Sequence, residues 1–228
     1  MTAPSRWQHD QLCANTCRVL RDHDDWRRLF GAAADSFAAL CAGVPAESWS
    51  GPGIGEWSLR DLAGHTSRAL LTVEMYLARE AVPVTLDGPV AYLRAAAAAS
   101  ATAEGSRAIA TRGRDAGIAL GPDVGESTRA IVDRVLDLVD RTADDAPCAT
   151  PFGGIELADY LPTRTLELTV HSLDMVAALE SATPEQLREP VASCLELLAA
   201  AVGESDLASD VLLALTGRKA LPPNLHVV

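Results

Sequence analysis

The segment RTLELTVHSLD, residues 164–174, contains side chains that can bind a metal ion. Glu167 and His171 lie four residues apart in a segment with helical apolar periodicity, so both side chains leave the same helix face. Asp174 follows three residues later, where its carboxylate can accept a hydrogen bond from the other imidazole nitrogen and fix the tautomer. Taken alone, this spacing is more typical of a hydrogen-bonded pair on a helix surface.

His65 is a third candidate ligand, about a hundred residues earlier in the chain. It falls on the apolar stripe of a helix predicted over about 58–80, between Leu62 and Ala69. A histidine on such a stripe is more often a core residue with satisfied hydrogen bonds than a ligand. On its own, His65 therefore does not establish a metal site.

Polar residues beside these motifs each have two interpretations. Arg164, one turn before Glu167, could hold a substrate carboxylate, or it could be an exposed arginine paired with an acidic neighbour. Asp61 could support the site, although its spacing from Ser58 favours a capping box that opens the helix. We expect Trp57 to pack against the end of the helices.

The elements that must position these residues are helices. Apolar periodicity and caps predict helices over about 22–43, 58–80, 90–112, 126–143, 183–202 and 206–216, besides the helix that carries Glu167 and His171. Residues 113–125 are predicted as a loop, and no segment has the alternation of a strand. The sequence therefore predicts an all-α fold, a four-helix bundle with extra C-terminal helices.

Individual prolines and glycines refine these boundaries. Pro162 is expected near the start of the Glu167 helix, where its missing N–H does least harm. Thr183 and Pro184 are expected to begin the next helix as N-cap and first residue. Gly105 weakens the prediction of one unbroken helix over 90–112, and Gly217 is a candidate C′ residue.

Length and charge limit the classes of partner. The chain has 228 residues, which we interpret as one helical domain: a bundle core over about 22–180, an N-terminal extension over 1–20 and a C-terminal helical extension over 183–228. Its formal net charge is −12, without a block of basic residues, so nucleic acid and anionic membranes are not expected partners. A homodimer is the expected assembly if the apolar C-terminal helices cover a second copy.

The cysteines and the first residues indicate the compartment. Five scattered cysteines without framework spacing are typical of reduced thiols, and the first ten residues lack the pattern of a secretory signal. We therefore expect a cytoplasmic protein. His9, Cys13 and Cys17 could share one helix face and bind a soft metal, but buried packing is the more common role of such cysteines.

Together the two motifs resemble a known family. PGIGEWSLRDLAGHT contains the pattern W-x-x-R-D-x-x-x-H, and E-x-x-x-H-x-x-D follows about a hundred residues later. With PFGG at 151–154 and Gly217-Arg218, these motifs resemble the mycothiol-dependent maleylpyruvate isomerase family, part of the DinB/YfiT-like group of helical metalloproteins. The resemblance implies a DinB-like bundle in which His65, Glu167 and His171 bind one divalent metal, with zinc expected.

The resemblance also implies a reaction, which uses a low-molecular-weight thiol such as mycothiol as cosubstrate and a small electrophile as substrate. The isomerases of this family carry a further C-terminal α/β domain, whereas 48 residues follow position 180 here. Three interpretations remain open: a thiol-dependent transferase or isomerase, a hydrolase that uses metal-bound hydroxide, and a bundle that keeps a metal without catalysis.

Overall fold

The computed structural model describes residues 22–221 and residue 225. The predicted N-terminal extension, with His9, Cys13 and Cys17, lies outside these residues. Within the described chain no helix is both long enough and apolar enough to cross a membrane. Cys41, Cys148 and Cys194 are buried and free.

Eight α-helices account for most of the described chain. In chain order they are α1 (His23–Gly43), α2 (Leu59–Leu77), α3 (Gly88–Ser100), α4 (Ala103–Ala119), α5 (Val124–Asp140), α6 (Leu157–Ala178), α7 (Arg188–Gly203) and α8 (Ala208–Leu215), with 3-10 turns at Ala46–Ser50 and Glu185–Leu187. The all-α prediction is confirmed, because the described residues add only two short strands to these helices.

Four of the helices form the bundle. α1 packs against α5 and α6, and α2 packs against the same two helices from the other side. Each contributes fully buried apolar side chains to one core, among them Phe30, Leu62, Val135 and Leu168. Three further helices cover this core, since α4 packs on α2, α3 on α6 and α4, and α7 on α6 and α1, while α8 packs on α7 without a buried residue. The functional motifs of α2 and α6 therefore face each other inside the bundle.

A small hairpin corrects the prediction that the chain has no strands. β1 (Pro147–Thr150) and β2 (Gly153–Glu156) pair antiparallel through a two-residue turn at Pro151 and Phe152. Gly153 has φ +130°, and a Cβ on Gly154 would lie 2.4 Å from the Pro83 carbonyl oxygen. The turn-rich sequence therefore forms a hairpin. Gly153 and Gly154 have no side chains, which lets the 83–86 segment pass close to this hairpin.

The prediction of a loop over 113–125 is wrong for its first part, since α4 continues through Gly113 and Gly117 to Ala119, and only residues 120–123 connect it to α5. A Cβ on Gly64 of α2 would lie 2.1 Å from the backbone nitrogen of Gly117, so the two helix backbones touch. These glycines allow close helix packing rather than ending the helix. The predicted Ala-rich helix instead breaks before Thr102, whose side chain caps α4 by accepting a hydrogen bond from the Gly105 N–H at 2.9 Å.

Other predicted helix ends were partly right. Ser58 and Asp61 form the expected capping box, and Gly217, with φ +73°, follows Thr216, the C-cap residue of α8, as the C′ glycine. Pro162 lies inside α6 rather than at its start, because the helix already begins at Leu157 and its first turns are buried in the core. Thr183 does not cap α7, since a 3-10 turn precedes that helix and has no side-chain cap.

Candidate metal centre

His65, Glu167 and His171 meet between α2 and α6. The carboxylate oxygen Oε2 of Glu167 lies 3.3 Å from His171 Nε2 and 4.0 Å from His65 Nε2. One ligand atom from each of the three side chains lies within 4.8 Å of the others. The structure thus brings together the three residues that the sequence proposed as metal ligands.

Neighbouring side chains orient the two imidazoles. Asp174 accepts a hydrogen bond from His171 Nδ1 at 2.9 Å, which leaves Nε2 of that ring facing Glu167. The indole of Trp57 packs against the His65 ring, with centroids 4.7 Å apart. Among the described residues, Nδ1 of His65 is buried without a hydrogen-bond partner, so packing rather than a hydrogen bond holds this ring. Trp57 therefore contacts the site as well as the end of the bundle.

The protonation of the two histidines differs. Burial, reinforced by the nearby His171, lowers the pKa of His65 to about 4, so its imidazole is neutral at neutral pH. Burial also acts to lower the pKa of His171, but hydrogen bonds with Asp174 and Glu167 outweigh it and raise the pKa to about 9. Burial raises the pKa of Glu167, and its hydrogen bond with His171 and the nearby Arg164 reverse this and lower it. Without a metal, the centre therefore holds a His171–Glu167 ion pair beside a neutral His65.

This donor set fits a divalent cation. Ligand atoms bound to one tetrahedral zinc at about 2.1 Å lie roughly 3.4 Å apart, close to the 3.3 and 4.0 Å separations found here. Two imidazoles and one carboxylate leave a coordination position for another molecule, as catalytic zinc sites do. Asp174 occupies the place of an outer carboxylate that fixes the tautomer of a ligating histidine.

The centre opens onto a cavity of about 620 Å³. Its walls are formed by α2, α3, α4, α6 and the hairpin turn, and His65 and Glu167 lie on its surface. Within the described chain, Glu167 is the sole carboxylate and His65 the sole imidazole that line this cavity. A small molecule in the cavity would therefore lie directly beside the candidate metal ligands.

Arg164 is the most buried charged side chain of the cavity wall. It is 8% exposed, and its guanidinium packs against the rings of Tyr160 and Tyr92, at 4.8 and 5.1 Å from their centroids. Of the two interpretations of this residue, the exposed arginine paired with an acidic neighbour is wrong. Asp61, by contrast, does not line the cavity: its carboxylate accepts hydrogen bonds from the Ser58 N–H and Oγ–H at the start of α2.

Several residues of the cavity wall were not predicted from the sequence. Arg68 lies three residues after His65 on the same helix, so helical spacing could have placed it beside the site, as it did Arg164 before Glu167. Arg112 could not be found in this way, because it belongs to the part of α4 next to the falsely predicted loop. Tyr92 and Tyr160, which flank Arg164, have no distinguishing spacing.

Comparison with known proteins identifies the family. The model of a family described as the mycothiol maleylpyruvate isomerase N-terminal domain matches residues 30–176. Searches of curated proteins and of solved structures gave no significant match. The matched region includes all three candidate ligands, the whole of α2 and α6 as far as Val176. Since it covers more than half of the sequence, the chain belongs to the family of the mycothiol maleylpyruvate isomerase N-terminal domain.

Proposed function

We propose that this protein is a divalent-metal-dependent enzyme that activates a small thiol of the mycothiol type for transfer to, or isomerisation of, a small electrophile. The observation that supports it most is that His65, Glu167 and His171 form one donor set, of which His65 and Glu167 line a 620 Å³ cavity. Zinc is the proposed metal, because neutral imidazole and carboxylate are ligands that suit it.

The chain's own residues would bind the metal and orient its ligands. The imidazole of His65 is neutral before a metal binds, because burial lowers its pKa. Asp174 fixes the tautomer of His171 so that Nε2 faces the centre. Glu167 supplies the negative charge that a divalent cation requires. A bound cation would supply the positive charge that keeps a thiol deprotonated at neutral pH.

The cysteines of the chain support an external nucleophile. None of the described cysteines lines the cavity, and burial raises the pKa of Cys41 and of Cys148 to about 12 and that of Cys194 to about 11. These thiols are therefore protonated and inert at neutral pH. Among the described residues no thiol is therefore available to react in this cavity, which favours a thiol brought by a cosubstrate.

The cavity favours the thiol reaction over the two alternatives. A hydrolase needs a general base beside the metal, and the described lining offers no carboxylate or imidazole beyond the candidate ligands. A bundle that keeps a metal only for stability has no need of an open cavity at the metal site. We therefore place thiol chemistry first.

The proposal is tested by measuring turnover of the electrophile by the zinc-loaded protein, as loss of free thiol for transfer and as conversion of maleylpyruvate to its trans isomer, with the thiol regenerated, for isomerisation. Mycothiol is supplied with maleylpyruvate or with an alkylating electrophile such as monobromobimane, and His171→Ala is compared with the control His23→Ala. His23 is a half-exposed histidine outside the site. We expect turnover that requires both thiol and metal, retained by the control and lost in His171→Ala. Metal-dependent hydrolysis of esters or amides without any thiol requirement would contradict the proposal.

A further inference from the structure

The cavity wall is rich in arginine although the whole chain is acidic. Four guanidinium groups line the cavity: Arg68 from α2, Arg79 just beyond α2, Arg112 from α4 and Arg164 from α6. Glu167 is the sole carboxylate of the described lining, and a bound divalent cation would offset its charge. In a chain of net charge −12, this wall therefore concentrates positive charge at one place.

Arg164 is buried without a carboxylate bound to it. Within the described chain, its one hydrogen bond runs from Nε to the Thr163 hydroxyl at 3.1 Å, and it forms no ion pair with an acidic residue. The guanidinium packs against two aromatic rings that contact each other edge to face, and within the described chain its terminal nitrogens donate no hydrogen bond. A buried arginine whose terminal nitrogens make no hydrogen bond to the described chain can bind an anion that accepts two parallel hydrogen bonds.

Arg68 and Arg112 add a second positive region. Burial lowers the pKa of Arg68, and Arg112 lowers it further by charge repulsion. Neither residue forms an ion pair with any described carboxylate, whereas most arginines elsewhere on the described surface do. Two unpaired like charges in proximity are unfavourable until an anion lies between them.

Arg79 has a different role. Its guanidinium donates to the Ala149 carbonyl of β1 at 3.1 Å and packs over the ring of Tyr76 at 4.7 Å. These contacts hold the hairpin against the end of α2. Arg79 is therefore already engaged, which leaves Arg68, Arg112 and Arg164 to bind a ligand.

We propose that the cavity binds a reactant with at least two negatively charged groups, one held by Arg164 and the other by Arg68 and Arg112. Carboxylate and phosphate share the planar or branched oxygens that guanidinium groups recognise. The identification of this anion as a reactant rests on the proposed function, but the binding of an anion does not depend on the metal. The anionic groups belong either to the electrophile or to the thiol.

The test is calorimetric titration of the protein with three probe anions at low ionic strength. Acetate carries one carboxylate, succinate carries two, and inorganic phosphate is a compact anion; each is titrated into the zinc-loaded protein and into the protein after chelation of the metal. We expect succinate or phosphate to bind one per chain, at least about tenfold more tightly than acetate, and more weakly as salt is added. Tighter binding of succinate than of phosphate would indicate that the ligand is a dicarboxylate, and the reverse order would indicate that it carries a phosphate group.

Variants locate the binding site. Arg164→Gln and Arg68→Gln are each expected to weaken binding of the preferred anion by about 10- to 100-fold, because a charge-assisted hydrogen bond is lost. Arg107→Gln is the matched control, since this arginine belongs to α4 but does not line the cavity. Arg68 is partly exposed, so its variant is informative even if replacement of the buried Arg164 lowers stability.

Two results would overturn the inference. One is that neither dianion binds more tightly than acetate, and the other is that Arg107→Gln weakens binding as much as Arg164→Gln and Arg68→Gln do. Because the chelated protein is titrated as well, these outcomes are separate from the fate of the proposed reaction. A zinc enzyme that uses a thiol but ignores anions would contradict this inference alone.

Discussion

The metal centre and the arginines that line the same cavity differ in how their charges are paired. We call Arg68, Arg112 and Arg164 the arginine wall. At the centre, His171 is paired with both Glu167 and Asp174, and His65 is kept neutral by burial. Along the wall, Arg68 and Arg164 have no carboxylate bound to them in the described chain. The metal-free centre therefore pairs its one cation, His171, with carboxylates of the chain, whereas the buried arginine of the wall, Arg164, has the nearby Glu167 to oppose its charge but no carboxylate bound to it. We infer that the protein's own side chains orient the metal ligands, whereas the arginine wall contributes its favourable interactions when a reactant binds.

The largest expected effect comes from separating α4, which carries Arg112, from α2, which carries His65 and Arg68. In Gly64→Ala, the new Cβ would lie 2.1 Å from the Gly117 backbone, so α4 must move away from α2 and take Arg112 with it. We expect a loss of unfolding free energy of about 3 kcal/mol or more, measured by urea denaturation. Gly43→Ala is the control, because nothing lies within 4 Å of its added Cβ, and a similar loss there would contradict the assigned contact.

The second prediction distinguishes the two histidines of the metal-free centre by pH. The unfolded chain takes up a proton at His65 below pH 6.5, whereas the folded chain does so only near pH 4. Stability should therefore fall by about 3 kcal/mol as the pH decreases across this interval. Urea denaturation at pH 7 and pH 4 measures it, and His65→Gln should remove this part of the slope while His23→Gln leaves it.

His171 should have the opposite dependence. Its pKa is raised to about 9 in the folded state, so its stabilising contribution is complete below pH 6.5 and is lost as the pH rises through 9. A stability of the metal-free protein that does not decline between pH 7 and 9.5, relative to His171→Gln, would contradict the ion pair at the centre.

A smaller effect is expected where the centre depends on its outer carboxylate. Asp174→Asn retains the shape of the side chain but weakens the hydrogen bond that holds His171 Nδ1–H. We expect zinc affinity to fall by about 10- to 100-fold, as measured by competition with a chelating dye. Asp137→Asn, an exposed residue paired with Arg141 on α5, should leave the affinity unchanged. Anion binding at the arginine wall should survive in both variants.

The smallest effect concerns the helix end that supports both regions. Ser58→Ala removes the side chain that accepts from the Asp61 N–H at 3.2 Å, which should lower the unfolding free energy by about 1 kcal/mol. Metal content and anion affinity should remain at the wild-type level. A loss of metal in this variant would show that Asp61 supports the site and does more than cap α2.

Sequence reasoning found the parts of the site that obey helical spacing. Glu167, His171 and Asp174 share one face of α6, and their spacing alone places them together. His65 required knowledge of the family motif, because a histidine on an apolar stripe has no signal of its own. The bundle itself followed from periodicity, which depends on burial along each helix.

What sequence reasoning missed depends on contacts between distant segments. Gly113 and Gly117 read as loop residues, yet they lie in a helix because α2 passes against them. Phe152 belongs to a hairpin turn that the 83–86 segment supports, and no periodicity encodes that contact. Arg112 joins the cavity only through the packing of α4 on α2, so the positive wall could not be predicted.

The most direct test of the account is elemental analysis of the tag-free protein. Zinc is measured in the wild type and in His65→Ala, Glu167→Gln and His171→Ala, with His23→Ala as control, after reconstitution and removal of loosely bound metal. The account predicts about one metal ion per chain in the wild type and the control, and far less in each of the three variants. A folded wild type that binds no metal, or variants that bind as much as the wild type, would contradict the metal centre.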